Sequence, residues 1–397
     1  MTVSVVMYKT LGISNTDIAL YTSWLYLPWV IKPLWSPVVE LFGTKRRWIL
    51  AMQLAIGAAL ALVALTLPMD RFFQMSLAVF WLMAFASATH DIAADGFYML
   101  AMDSHQQATY VGLRSAFWRV AQIAGQGGFV YLAGELGNFT GNVVLAWSIV
   151  FGITAGLFAL LCLWHLAFLP RPGSDQAAAE ASMHEFLETF ASFFRRDRMV
   201  SILAFLLLFR FAEAQALKLV PPFLLDPVSS GGLGLTTSDV GIAYGTIGVV
   251  SLTGGGILGG LAIARWGLDR CIWPMVFAIH VPNLVFLYLA LAQPQDFNLV
   301  CAALALEQFG YGFGFASFLM FMLHVADGPR KTAHYAICTG FMALGMMIPG
   351  MWSGWLQEQL GYVRFFGWIC IATLPAFIVV AFARIPKGFG TEAASPR

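Results

Sequence analysis

Residues 88–100 read ATHDIAADGFYML, the end of a long apolar run that nevertheless holds His90, Asp91 and Asp95. Asp91 and Asp95 are four residues apart, so a helix carries both carboxyls on one face. Two carboxyls held together away from bulk water compete for a proton, the property a proton carrier needs. On the next apolar run Arg119, Gln122 and Gln126 again share one face. A guanidinium there would suit a partner that the carboxyls take and release, so the expected proton-coupling set is Asp91, Asp95 and Arg119. The plainer alternative is a fixed ion pair joining the two helices near one end.

Further along, ionisable and polar groups interrupt other apolar runs: Arg210, Glu213, Gln215, Lys218, His280, and Glu307 followed by QFGYGFGF with Tyr311. Charged groups at bilayer depth cost about 2.5–3.5 kcal/mol each on insertion scales and persist where they meet a partner or a water-filled cavity. Gln122, Gln126, Arg210, Glu213, Gln215, Glu307 and Tyr311 are therefore the expected substrate-binding residues. For Arg210 and Glu213, three apart, a pair within one helix is the structural alternative. For His280 it is a core histidine bonded across helices. Lys32, Trp35 and Glu40, in the proline-bearing stretch KPLWSPVVE, join Arg46, Arg47, Arg265, Asp269 and Arg270 as expected gating residues.

The elements that must position these groups follow from composition. The chain has 397 residues, 59% of them hydrophobic and 11% charged, whereas soluble domains carry about 25% charge. That profile belongs to an all-α polytopic membrane protein. A net charge of +1 gives nothing for nucleic acid to bind. Cys162, Cys271, Cys301, Cys338 and Cys370 lie scattered in apolar runs with no metal spacing, and read as buried small hydrophobes. No nucleophile elbow, Walker loop or metal cluster is present in the sequence, so neither an enzyme nor a cofactor is expected.

Eleven apolar runs are long enough to span, at 17–39, 47–68, 72–100, 108–135, 143–169, 200–222, 239–264, 271–292, 297–324, 333–356 and 363–384. The opening MTVSVVMYKTLGI is too short to cross about 30 Å of hydrocarbon and reads as the second half of a helix, giving two six-helix bundles with a truncated first helix. The expected domains are an N-terminal bundle over 1–169, a linker with an interfacial helix over 170–199, a C-terminal bundle over 200–384 and a tail over 385–397. In the linker Phe186, Phe190 and Phe193 sit at helical spacing beside Arg195, Arg196 and Arg198, which suits an interfacial helix. WSPVVELFGTKRRWIL and GGLAIARWGLDRCIWPM follow the second span of each half and read as a weak internal repeat. Basic residues, among them Lys45, Arg46, Arg47, Arg171, Arg195, Arg330 and Arg384, fall on one side, against Lys9, Arg71 and Arg364 on the other. By the positive-inside rule the tail is cytoplasmic.

Three stretches carry a family resemblance: LYTSWLYLPWVIKPLWSPVVE, HDIAADGFYML and VGLRSAFWRVAQIAGQG. They resemble the peptide–acetyl-coenzyme A–drug transporter branch of the major facilitator superfamily, which includes AmpG-like muropeptide permeases and acetyl-coenzyme A transporters. The resemblance implies proton-driven symport of a muropeptide-like cell-wall fragment through a bacterial inner membrane. It places Asp91 and Asp95 at the family's fourth-helix element and Lys32 and Trp35 in its second-helix motif. The expected partners are a small-molecule solute, protons and lipid, with a monomer as the assembly. The rival readings are a carrier for another solute (a drug, sugar or acyl-nucleotide) and a membrane sensor or scaffold that transports nothing.

Overall fold

The structure is a computed structural model that describes residues 2–102, 104–173, 175, 183–328 and 330–391. Eighteen α-helices run along the described residues. They are α1 Thr2–Thr10, α2 Asn15–Trp24, α3 Leu27–Leu41, α4 Lys45–Thr66, α5 Phe72–Ala101, α6 Ser104–Ile123, α7 Val130–Thr140, α8 Val143–Phe168 and α9 Met183–Phe194. Then follow α10 Met199–Leu208, α11 Phe211–Leu225, α12 Thr237–Val240, α13 Val249–Trp266, α14 Leu268–His280, α15 Leu284–Ala292, α16 Phe297–Ala326, α17 Lys331–Ile371 and α18 Leu374–Phe382. No strand occurs among the described residues. Each of the eleven apolar runs is helical, and eight helical stretches are long and apolar enough to cross a membrane by length and composition.

Several runs are helical but broken, for local reasons. The first splits at Leu25–Tyr26, ahead of Pro28, whose missing N–H suits the first turn of α3. The run at 271–292 breaks in a 3-10 turn, Val281–Asn283, that contains Pro282. Gly361, at φ 72, divides α17 into two helical pieces. Two π-helical segments, Ala124–Phe129 and Gly241–Gly248, interrupt the runs that hold α6–α7 and α12–α13. Both are glycine-rich, and π turns recur at functional positions in helices.

By contact the chain divides into two compact units. The first holds Met1–Trp24, Gln122–Tyr131 and Ala191–Arg397. Its core is aromatic: Phe205 stacks on Phe321 with centroids 3.8 Å apart, and Phe209 meets Phe318 at 5.3 Å. At the end of α9, Phe193 is fully buried and stacks on Phe341, while Arg196 reaches the ring of His334 at 2.8 Å. Glycines set a close helix crossing in this unit. A methyl group on Gly255 would strike the carbonyl of Phe309, and one on Gly312 would strike that of Leu252, so α13 and α16 touch backbone to backbone. In the same helix Gly259 also lies against backbone of α16, whereas Gly254 and Gly260 face open space.

The second unit holds Leu25–Ala121 and Leu132–Phe190. Val39, Ile49, Ile92, Ala93 and Phe97 form a buried cluster that Trp35, Trp48 and Leu169 complete. That cluster fixes α3, α4 and α5 and so sets where Lys32 and Asp91 stand. The side chain of Phe186 lies outside the described residues.

Candidate functional site

In the second unit Asp91 and Asp95 lie one turn apart on α5, and each has a cation. Lys32 Nζ, from the proline-bearing α3, meets Asp91 Oδ2 at 2.5 Å. Arg114 of α6 donates to Asp95 Oδ1. About half of each carboxylate side chain reaches the surface of the unit. Arg119 lies with its guanidinium 4.9 Å from the Trp118 ring centroid. Lys32, expected in the gate, thus stands on the first carboxylate, and Arg114 is the partner that sequence reasoning passed over. His90 Nε2 is buried with no hydrogen-bond partner among the described residues, and so is the indole nitrogen of Trp35, whose ring packs on Phe85 at 5.5 Å.

In the first unit the polar groups are far drier. Arg210 sits at the break between α10 and α11, at φ −109, ψ 20, and donates to the Tyr311 hydroxyl. Its guanidinium lies 4.7 Å from the Phe315 ring centroid and 5.5 Å from that of Tyr311. Glu213, one turn on, faces His280 Nδ1 at 2.8 Å. The structure therefore sends Glu213 across to α14 and Arg210 onto α16, in place of a pair within α11, and His280 is a buried histidine that faces Glu213 without a hydrogen bond. Glu307 accepts from Gln308 Nε2 at 2.8 Å and lies within electrostatic reach of Glu213. Gln215 is fully buried, accepts from the Trp368 indole at 2.9 Å and donates to Phe211 O at 3.1 Å. Arg210, Glu213, His280, Glu307 and Tyr311 thus form one group, with Gln215 turned to α17.

Gln122 and Gln126 lie at and within the first π segment, both half-buried. There the backbone comes against the second π segment: a methyl group on Gly245 would collide with Gln126 O, and one on Gly127 with Thr246 Oγ1. The two irregular helical stretches approach closely where these glycines stand.

A polar network that sequence reasoning missed closes one end of this unit. Asn15, buried, donates to Gln357 Oε1 at 2.7 Å and to the Tyr362 hydroxyl at 3.0 Å. Tyr362 donates to Asp226 Oδ2 at 2.6 Å, and Lys9 Nζ pairs with Asp226 Oδ1 at 2.6 Å. Next to it Thr16 donates to Glu358 Oε2 at 2.6 Å, and Lys218 donates to Thr22 Oγ1 at 2.8 Å. A methyl group on Gly354 would strike Asn15 O, so α2 lies directly on α17. Tyrosine, asparagine and lysine at the ends of apolar runs were the only signal, and it is a weak one.

The expected gating residues divide into two similar arrangements. Gly43, at φ 77, turns the chain into α4, and Gly267, at φ 83, turns it into α14. Thr44 caps α4 by accepting from Arg47 N–H at 3.2 Å. Asp175 accepts from the Lys45 and Arg46 amides at 2.8 and 3.0 Å. Arg46 donates to Leu166 O and Leu169 O at 2.7 and 3.1 Å, a cation on the last carbonyls of α8. At α14 the chain after α18 folds back in the same way. Leu268 N–H donates to Phe389 O at 2.8 Å and Gly388 N–H to Asp269 Oδ1 at 2.9 Å. Arg265 lies 5.7 Å from the Trp266 centroid, and Arg47 and Arg270 are exposed. The side chain of Glu40 lies outside the described residues. The glycine turns and the folded-back tails make the weak internal repeat visible.

The Major Facilitator Superfamily model matches residues 1–336. The chain belongs to this superfamily. Among curated proteins this facilitator is 23% identical to the anhydromuropeptide permease of Escherichia coli (strain K12), over 97% of the chain and 74% of the relative. Among solved structures it superposes on the nucleoside transporter NupG with TM-score 0.68 and 19% identity, covering 96% of this chain and 94% of that one. It superposes on a D-xylose-proton symporter with TM-score 0.71 and 12% identity, covering 98% and 95%. At such identities the solved structures show the fold. The facilitator is a secondary transporter and not an enzyme, a multi-pass protein of the bacterial inner membrane whose partner is a small-molecule solute.

Proposed function

We propose that this facilitator imports a muropeptide-like cell-wall fragment, driven by protons, by alternating access between two six-helix bundles. The observation that carries the reading is the Lys32–Asp91 pair at 2.5 Å, built on the element ATHDIAADGFYML. A lysine on the proton-binding carboxyl gives it two states: paired and charged, or protonated and released. Asp95 with Arg114 is a second such pair, and Arg119 joins the set as each carboxyl changes partner. The solute follows from the relationship to the anhydromuropeptide permease. The chemistry agrees: a sugar joined to a peptide offers ring faces and carboxylates. Arg210 with Tyr311 and Phe315 offers a cation beside aromatic rings, while Gln122, Gln126 and Glu307 supply amide and carboxyl partners.

The residues Lys32, Trp35, Glu40, Arg46, Arg47, Arg265, Asp269 and Arg270 work the gate on the cytoplasmic side, where the positive-inside rule also puts the C-terminus. The bundles divide at the linker 170–199, and the working unit is a monomer. The test is uptake of a labelled anhydromuropeptide into proteoliposomes under an imposed proton gradient. Wild type should accumulate it and lose accumulation with an uncoupler, and Asp91→Asn should fall at least tenfold. Accumulation indifferent to the uncoupler removes the proton. Uptake of a nucleoside or sugar in place of the muropeptide removes the assigned solute.

A further inference from the structure

Two helices break beside the same buried acid–base pair. Glu213 stands one turn after the α10–α11 break, and His280 is the last residue of α14, directly before the turn Val281–Asn283. Their side chains, 2.8 Å apart, are only 2% and 1% exposed. The two face each other at ion-pair distance without hydrogen-bond geometry, and both carboxylate oxygens of Glu213 and both ring nitrogens of His280 lack a hydrogen-bond partner among the described residues. The same holds for both amide atoms of Asn283 and for Arg210 Nε. Orphaned buried polar atoms cost about 1–3 kcal/mol apiece, and native chains keep few of them. Several around one pair mark a polar site that the packing leaves unsatisfied.

The occupant must be small. Phe209 and Phe377 flank the His280 ring with centroids at 5.8 and 5.7 Å, and no solute-sized group fits between residues this buried. A metal ion is disfavoured by the guanidinium of Arg210 in the same group, and no cluster of three or more metal-ligating side chains occurs among the described residues. A proton needs no cavity.

The geometry points to Glu213–His280 as a second proton-carrying site of the transport cycle, separate from Asp91 and Asp95. It rests on the proton-driven reading above. With one shared proton the pair is neutral overall. A second proton, taken from water at the helix break, gives imidazolium and carboxylic acid with a charge of +1. Release of both leaves carboxylate and imidazole with a charge of −1. The other ionisable groups facing the pair are Arg210 on the α10–α11 break, and Glu307 and Tyr311 on α16. Among the described residues, Phe209 and Phe377 pack on His280, and Trp368 of α17 donates to Gln215 of α11. An arriving proton repels Arg210, whose bond to Tyr311 ties α11 to α16. Loading the pair would thus loosen that tie.

The test is infrared difference spectroscopy of the purified, reconstituted full chain across a pH titration with no solute present. Wild type should show a titrating carboxylic-acid carbonyl band. The band should vanish in Glu213→Gln, return in Glu213→Asp, and persist in Glu307→Gln. In His280→Gln its midpoint should move by at least one pH unit, a tenfold change in proton affinity. A band that survives in Glu213→Gln, or that disappears only in Glu307→Gln, overturns the assignment. Because no solute is used, this result stands apart from the muropeptide assay. The uncoupler experiment reports separately on whether transport is proton-driven.

Discussion

The acid–base pairs Lys32–Asp91 and Glu213–His280 are matched in chemistry and opposed in setting. Asp91 has 46% of its side chain open and Lys32 19%, whereas Glu213 and His280 are open by 2% and 1%. A half-open carboxylate holds its partner less firmly than a buried one, so it exchanges partners more cheaply. Losing one member of a buried pair strands the other and costs about 3–5 kcal/mol. Glu213 and His280 are therefore held in place, and Asp91 stands ready to move. That contrast is why the open carboxylates suit partner exchange and the buried pair suits a proton, which moves without rearranging heavy atoms.

Three substitutions test the contrast through unfolding in detergent, from the largest expected effect to the smallest. Glu213→Leu leaves His280 buried and unpaired and should cost about 3–5 kcal/mol, with Glu213→Leu/His280→Leu recovering most of the loss. A single-variant cost below about 1 kcal/mol would show that the pair is wet and dissolve the distinction. Gly354→Val drives a side chain into Asn15 O and should cost about 1–3 kcal/mol, with uptake lowered at least tenfold because α2 can no longer close on α17. Wild-type stability and uptake would mean that this crossing is not tight in the working protein. Asp95→Asn, which removes an open pair with Arg114, should change stability by no more than about 1 kcal/mol. A larger loss would place Asp95 with the buried groups.

The helical class was legible because it rests on averages over long runs: charge too scarce for a soluble surface, and apolar stretches near membrane length. The family was legible only through three stretches that resemble it. The element around Asp91 was legible because polar residues in such a run stand out. The pairings were not. Lys32 and Asp91 are 59 residues apart, and Asn15 and Tyr362 are 347 apart. No local spacing encodes contacts at that range. Arg210 and Glu213 show the opposite hazard, since helical spacing offers them to each other while packing sends each to a different helix. The π segments were hidden too, because glycine-rich stretches such as AGQGGF read equally well as smooth helix.

The folded-back tails bear on how this protein can be handled. The stretch of chain at Gly388–Phe389 bonds to the start of α14, and Phe389 packs on His324 with centroids 5.0 Å apart. An affinity handle or fluorescent reporter joined at Pro386 would strip those bonds from Leu268 and Asp269. Joined after Thr391 it would leave them whole, so the junction chosen decides whether the tagged protein still resembles the untagged one.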